Sequence, residues 1–434
     1  MNDHGSQTDG LTTRACLRSA LHVAAGIALL VAPGCESLLD VAPDPRAVDP
    51  ESEITLDVVL NGLASDFAQG NDLFIAWSGM FVDEQTTTFT FCIHDCRNTP
   101  AIADYGRGQL RDINRPDPFY DFIHRPGAQA HRAQADMLEG RFEELQSDVE
   151  NSAAFALAAV IEGFSKEWAA TFTCTVAYDG TGPELTTREG YGRAEVEFTE
   201  AINATNAAPE IREGALAGRA RVRLYMGDDQ GALADAKNVD PEFEFITRYS
   251  TNTFEQRNRI WFHQWSFGDQ SVDAFFLDLT IDDTGIPDPR VAVTKDPVPA
   301  FNGFATQWSA NKYSSPTDPI RVTSGDEAQY IIAEIEGGQT AVDIINAVRL
   351  RHGIEIEWEP ETGSAEEIRD KVIDERRRTL FMEGVRMADV RRYLDKFGLD
   401  FFPQPPHPLG FQMGDQICPP LPDIERENNP GLGG

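Results

Sequence analysis

Apolar residues recur at helical spacing over much of the chain. In 128–145, Ala130, Ala133, Met137, Leu138, Phe142 and Leu145 share a face, and in 153–173 so do Ala156, Leu157, Val160, Ile161, Phe164, Trp168 and Phe172. Each stripe predicts an amphipathic helix with one face in solvent. Residues 209–240 predict a helical hairpin. Ile211, Ala215, Leu216, Ala220, Val222, Leu224 and Tyr225 lie on its first helix, Gly227-Asp228-Asp229 breaks it, and Ala232, Leu233, Ala236 and Val239 lie on its second. Ala215, Ala217, Gly218 and Ala220 are small enough for two helices to approach closely, and the unit has about the length of a tetratricopeptide (TPR) repeat, roughly 34 residues. A second hairpin is predicted over 324–353. Ser324 and Glu327 form a capping-box pattern ahead of Ala328, Ile331, Ile332 and Ile335; Gly337-Gly338 ends that helix, Thr340 opens the next, and Gly353 closes it. Between the hairpins, 241–323 is rich in Pro, Asp, Gly and aromatics and lacks helical periodicity, which predicts an irregular insert.

One apolar run stands apart. Residues 21–31 follow Arg14 and Arg18 and precede Ala32-Pro33-Gly34-Cys35, the basic, apolar and small-residue order of a signal peptide. The run is shorter than the roughly 20 apolar residues that span a bilayer. A small residue directly before Cys35 predicts a lipoprotein: 1–34 is removed, Cys35 is lipidated, and the Pro-rich, acidic 35–51 is a tether to one domain over 52–434. No other run reaches transmembrane length.

The formal net charge is −34. Nucleic acid is therefore excluded as a partner, because a polyanion is bound through neutralised phosphates, whereas neutral or cationic ligands suit such a surface. Of the six cysteines, Cys16 leaves with the signal and Cys35 takes lipid, leaving Cys92, Cys96, Cys174 and Cys418 in an oxidising compartment. They allow three pairings, of which a local Cys92–Cys96 bridge with Cys174–Cys418 is the simplest.

Residues 373–392, Ile-Asp-Glu-Arg-Arg-Arg-Thr-Leu-Phe-Met-Glu-Gly-Val-Arg-Met-Ala-Asp-Val-Arg-Arg, resemble the C-terminal motif of the SusD/RagB family. Other marks of that family occur in order: Cys35 followed by Leu39-Asp40 and Pro43; Asp288-Pro289-Arg290; Lys312-Tyr313; Tyr330-Ile331-Ile332-Ala333-Glu334; Ile345-Asn346-Ala347-Val348-Arg349-Leu350-Arg351; and a tail, 417–430, with Pro420-Leu421-Pro422 and Asn429-Pro430. Thr379 stands where Glu is usual, Met387 where an aromatic is common, and the insert is shorter than in glycan-binding members. The resemblance implies a mainly α-helical scaffold of TPR-type hairpins, over about 128–240 and 324–353, with a loop-rich insert. It further implies an outer-membrane lipoprotein, held by its lipid at the cell surface, that binds a nutrient such as an oligosaccharide and delivers it to a SusC-like TonB-dependent transporter. No reaction and no cofactor are implied.

Glu375, Arg376, Glu383, Gly384, Arg386 and Asp389 form the motif's charged core. On a single helix these charges would face neighbouring helices rather than one substrate, and flanking Leu380, Phe381 and Met382 favour buried pairing over catalysis. Cys92-Ile93-His94-Asp95-Cys96 has zinc-type donors but no second Cys/His cluster to complete four ligands, so no metal is expected. Asp278, Asp282, Asp283 and Asp288 lack the spacing of a calcium loop. The chain has no His-Glu-x-x-His, Gly-x-Ser-x-Gly or P-loop sequence. Sugar recognition needs aromatic faces for stacking and polar groups for hydroxyls. The candidates are Trp261 and Trp265, in the aromatic-dense 261–267, with Trp77 and Trp308 in other loop-like stretches. Two readings compete with nutrient capture. A TPR-like lipoprotein scaffold for a protein partner would pack its aromatics inward behind a flat polar insert. A secreted hydrolase would place a carboxyl of strongly raised pKa in a deep cleft.

Overall fold

The N-terminal helix α1 (Leu56–Phe81) starts at Thr55, whose hydroxyl accepts the Val58 N–H, and its second half is buried almost throughout. The computed structural model describes residues 54–88, 117–145, 147–178, 180–303, 305–403 and 416–432. The signal peptide, Cys35, the tether through residue 51, and Cys92, His94 and Cys96 lie outside the described residues.

The chain continues through β1 (Gln85–Thr87), α2 (Asp117–Leu138), α3 (Ala153–Phe172), the hairpin β2 (Thr175–Val176) and β3 (Leu185–Thr186), α4 (Thr187–Asn203), α5 (Pro209–Met226) and α6 (Asp229–Ala236). From α1 to α6, successive helices pack on one another. The predicted helix over 128–145 is displaced: α2 begins earlier and ends at Leu138, with Pro126 inside it. The proline ring is accommodated by Gly70 of α1, where a Cβ would lie 2.9 Å from Pro126 Cγ. Small residues act as the sequence predicts. Phe198 of α4 fits between Gly163 of α3 and Gly218 of α5, and a Cβ on either would come within 2.7 Å of its ring. Helix α4 itself is absent from the periodicity reading, since its buried face (Tyr191, Ala194, Phe198, Ala201) is sparse. Its usable signal is the capping box of Thr186 and Glu189.

The insert is more ordered than its composition suggests. Its ends are drawn together by β4 (Glu244–Thr247), which pairs antiparallel with β8 (Ile320–Ser324). Within it, β5 (Gln270–Val272) pairs with β1, and β6 (Val293–Lys295) with β7 (Trp308–Ala310). The second hairpin follows as α7 (Gly325–Glu336) and α8 (Gly338–Arg351). Ser324 caps α7 through the Glu327 N–H, but the Glu327 carboxylate turns inward to Arg221 rather than completing the box. Gly353, at φ 74°, follows α8 and donates its N–H to the Leu350 carbonyl.

The charged motif occupies two helices, not one: α9 (Ala365–Thr379) and α10 (Arg386–Phe397) meet at a buried corner. Met382 adopts φ 56° and Gly384 φ 80° there. A side chain at Gly384 would meet Phe74 of α1 at 2.9 Å, so glycine is required by conformation and by space. The tail ends in α11 (Asp423–Asn428) and is tied to the body by a Cys174–Cys418 disulfide. From Thr55 onward the described residues form one compact unit, mainly α. No helix among them is long and apolar enough to cross a membrane.

Candidate ligand-binding face

The motif's charges anchor the insert to the helices. Glu375, fully buried, accepts from Arg290 at 2.7 Å, from Arg349 at 2.5 Å, and lies 3.1 Å from Lys371. Burial works against its charge, but these three cations overcome it and hold its pKa well below the carboxylate range. Arg376 donates to Asp389 at 2.7 Å, and Glu383 takes Lys312 at 2.5 Å and Arg321 at 2.6 Å. Arg386 forks onto Asp83, just past α1, at 2.6 and 2.8 Å. Asp282 is held by Arg349 and Lys371, and Asp288 by Arg290 and Arg378, so neither carboxylate is left for a calcium ion.

Glu84 is the exception in this network. One carboxylate oxygen accepts the Met382 N–H at 2.7 Å, fixing the left-handed residue of the corner, while the other has no hydrogen-bond partner among the described residues. Burial pushes its pKa up to about 8, with Asp83 adding repulsion against the pull of that N–H, Arg386 and Lys312. The native state thus holds a proton that the unfolded chain, titrating near 4.5, gives up. Its stabilising contribution is complete below about pH 4.5 and is lost as pH rises through about 8. Glu84→Gln is expected to gain stability relative to wild type, on the order of a few kcal/mol, between pH 5 and pH 9. Thermal unfolding of both proteins across that range checks it; a difference that does not change with pH would contradict the assignment.

On this foundation the insert carries a row of exposed rings. A short helical turn (Arg259–Trp261) is capped by Asn258 and held by buried Asp72 of α1, which accepts the Arg259 N–H at 2.9 Å. It runs into a π-helical turn over Phe262–Phe267. Widening the turn brings residues five apart onto one side, and Phe262 and Phe267 stack with centroids 5.6 Å apart and planes 8° apart. Phe254 meets Phe262 edge-on at 4.8 Å, and Phe301 meets Phe267 at 4.7 Å. Phe254, Phe267 and Phe301 are each 40–42% exposed. Arg259 lies 4.3 Å over the Phe254 ring and Arg257 5.9 Å from it, and neither arginine forms an ion pair among the described residues. Behind the row, Gln264 donates to Gln85 and accepts from the Ala310 N–H, locking the π turn to both strand pairs.

None of the four candidate tryptophans belongs to this row. Trp77 is not in a loop: it is 3% exposed in the core-facing part of α1, because the buried half of that helix is apolar on nearly every side. Trp265 donates its indole N–H to the Ala310 carbonyl at 3.0 Å and so packs the π turn against β7. Trp261 is half-buried within the turn, and Trp308 is half-buried in β7 with Lys295 5.8 Å from its ring. The exposed phenylalanines, rather than the tryptophans, form the outward aromatic surface. Their signal in sequence was the separation of five between Phe262 and Phe267, which an α-helical reading assigns to different faces.

Residues 228–416 match the SusD family. That match covers somewhat less than half of the chain. The likeness extends beyond the matched segment. A SusD superfamily protein from Bacteroides fragilis superposes with a TM-score of 0.65 at 12% identity, covering 87% of this chain and 98% of its own. A Bacteroides vulgatus protein named for sugar binding gives 0.63 at 16%, covering 88% and 98%. A SusD-like carbohydrate-binding protein from B. fragilis gives 0.61 at 14%, covering 87% and 98%. No curated protein matches. Within the matched segment, Arg290 and Lys312 are counter-charges of Glu375 and Glu383.

Proposed function

We propose that the protein is a lipid-anchored outer-membrane lipoprotein that captures an oligosaccharide and delivers it to a TonB-dependent transporter. The observation that carries this reading is the row Phe254, Phe262, Phe267 and Phe301, three of whose rings are exposed, edged by two guanidiniums that form no ion pair among the described residues. Rings of this kind stack on the apolar faces of sugars, and arginine N–H groups meet hydroxyls. The SusD-family match over 228–416 and the carbohydrate-binding names of two structural neighbours support the ligand class. Cys35 supplies the anchor and 35–51 the tether, with the domain beginning near residue 52.

The reading is of binding without catalysis. The motif carboxylates are consumed by buried arginines and lysines, which suits a rigid platform rather than acid–base chemistry. The row of outward rings also favours a small-ligand surface over a flat polar scaffold. Titration calorimetry with a panel of neutral oligosaccharides tests the proposal. Saturable binding of at least one, without release of new reducing ends, is expected; no binding across the panel, or hydrolysis, would count against it.

A further inference from the structure

A cavity away from the aromatic row lies between the start of α4, the end of α5 and α10, with a volume of about 490 Å³. Four cationic side chains line it, those of Arg188, Arg391, Arg392 and Lys396, against the carboxylates of Asp229 and Asp395. Two of the cations are spoken for. Arg392 pairs with Glu334 and Asp389, and Lys396 lies 3.6 Å from Asp229 and 3.8 Å from Glu334. The other two are not. Arg391 donates to the Thr171 carbonyl at 2.8 Å and the Thr187 hydroxyl at 3.1 Å, Arg188 donates to the Met226 carbonyl, and neither forms an ion pair among the described residues.

Two uncompensated arginines at one cavity are unexpected in a chain where 71 acidic residues outnumber 37 lysines and arginines. Two residues of its lining also carry buried polar atoms with no hydrogen-bond partner among the described residues, the Tyr225 hydroxyl and Asp229 Oδ1. Buried polar atoms are ordinarily satisfied. Here one group can donate or accept and the other accepts. The positive end of α4, which begins at Thr187, adds to the field.

We propose that this cavity binds a hydroxylated carboxylate of the sugar-acid class. The guanidiniums of Arg188 and Arg391 take its carboxylate, and Tyr225 and Asp229 take its hydroxyls. Arginine is suited to the first task because its planar fork matches a carboxylate. The volume fits one sugar ring with room for a neighbour. The site stands apart from the proposed oligosaccharide face and does not depend on it.

Calorimetry on the full mature protein tests the site, with glucuronate as probe and glucose as its neutral counterpart. Glucuronate is expected to bind at least tenfold more tightly than glucose at low salt. Tyr225→Phe removes a hydroxyl that bonds nothing among the described residues of the unliganded protein, so it should leave the melting temperature unchanged and weaken glucuronate at least fivefold. Arg188→Gln, an exposed change, should weaken it about tenfold. A Phe262→Ala/Phe267→Ala protein should bind glucuronate as wild type does. Equal affinity for glucose and glucuronate, retention of affinity in both single variants, or its loss in the phenylalanine variant would overturn the proposal.

Discussion

Glu375→Ala is expected to destabilise the fold by about 3–5 kcal/mol, the cost of leaving buried charge without its partner. The carboxylate is fully buried and holds Arg290, Arg349 and Lys371 together. Without it, these three cations are left with Asp282, Asp288 and, 3.9 Å from Lys371, Asp374, and both Asp288 and Asp374 are already engaged by Arg378. An exposed pair such as Arg369 with Asp370 should contribute less than about 1 kcal/mol by comparison. Urea unfolding of the two variants, Glu375→Ala and Asp370→Ala, measures the contrast. The pH dependence has the opposite sign to that of Glu84. Because the native pKa of Glu375 is depressed, its stabilisation is present above the unfolded value of 4.5 and is lost as pH falls toward the native one. Wild type should therefore lose its advantage over the variant in acid. A loss of less than 1 kcal/mol at neutral pH would mean that the network is not what fastens the insert.

Replacing both Phe262 and Phe267 by alanine is expected to weaken oligosaccharide binding by about 10- to 100-fold. An aromatic contact contributes about 0.5–1.5 kcal/mol beyond area burial, and two rings are lost together. Phe267 is 42% exposed, and the contacts of the pair with each other, Phe254 and Phe301 lie within the row, so the scaffold should survive the change. The informative comparison is Trp265→Phe. It removes the indole N–H that reaches the Ala310 carbonyl and should lower stability more than it lowers affinity. Unchanged affinity in the double variant, with a folded protein, would place the ligand elsewhere.

The helical scaffold was legible where the chain marks its own ends. Ser324 and Gly353 bound the second hairpin, and Gly227 ends α5 in the left-handed conformation that glycine favours. Elements defined by a neighbour were harder to read. Pro126 looks like a helix boundary, but Gly70 on another helix makes room for it. The charged motif resembled its family strongly enough to name the fold, yet spacing could not show what its charges meet. Arg290 is 85 residues from Glu375, and Lys312 is 71 from Glu383. The short marks in the insert and the motif at the C-terminus are two halves of one set of ion pairs, joined only when the chain folds. The aromatic row was half legible. Composition picked out 261–267, but the rings that face outward depend on a π turn, whose five-residue register no α-helical or strand periodicity describes.

The measurement that bears most directly on the central claim is recovery of the tagged, natively expressed protein from detergent-solubilised cell membranes, with mass spectrometry of what accompanies it. A large TonB-dependent barrel in stoichiometric amount is the predicted companion. Recovery of the protein alone, or with soluble proteins only, would contradict delivery to a transporter.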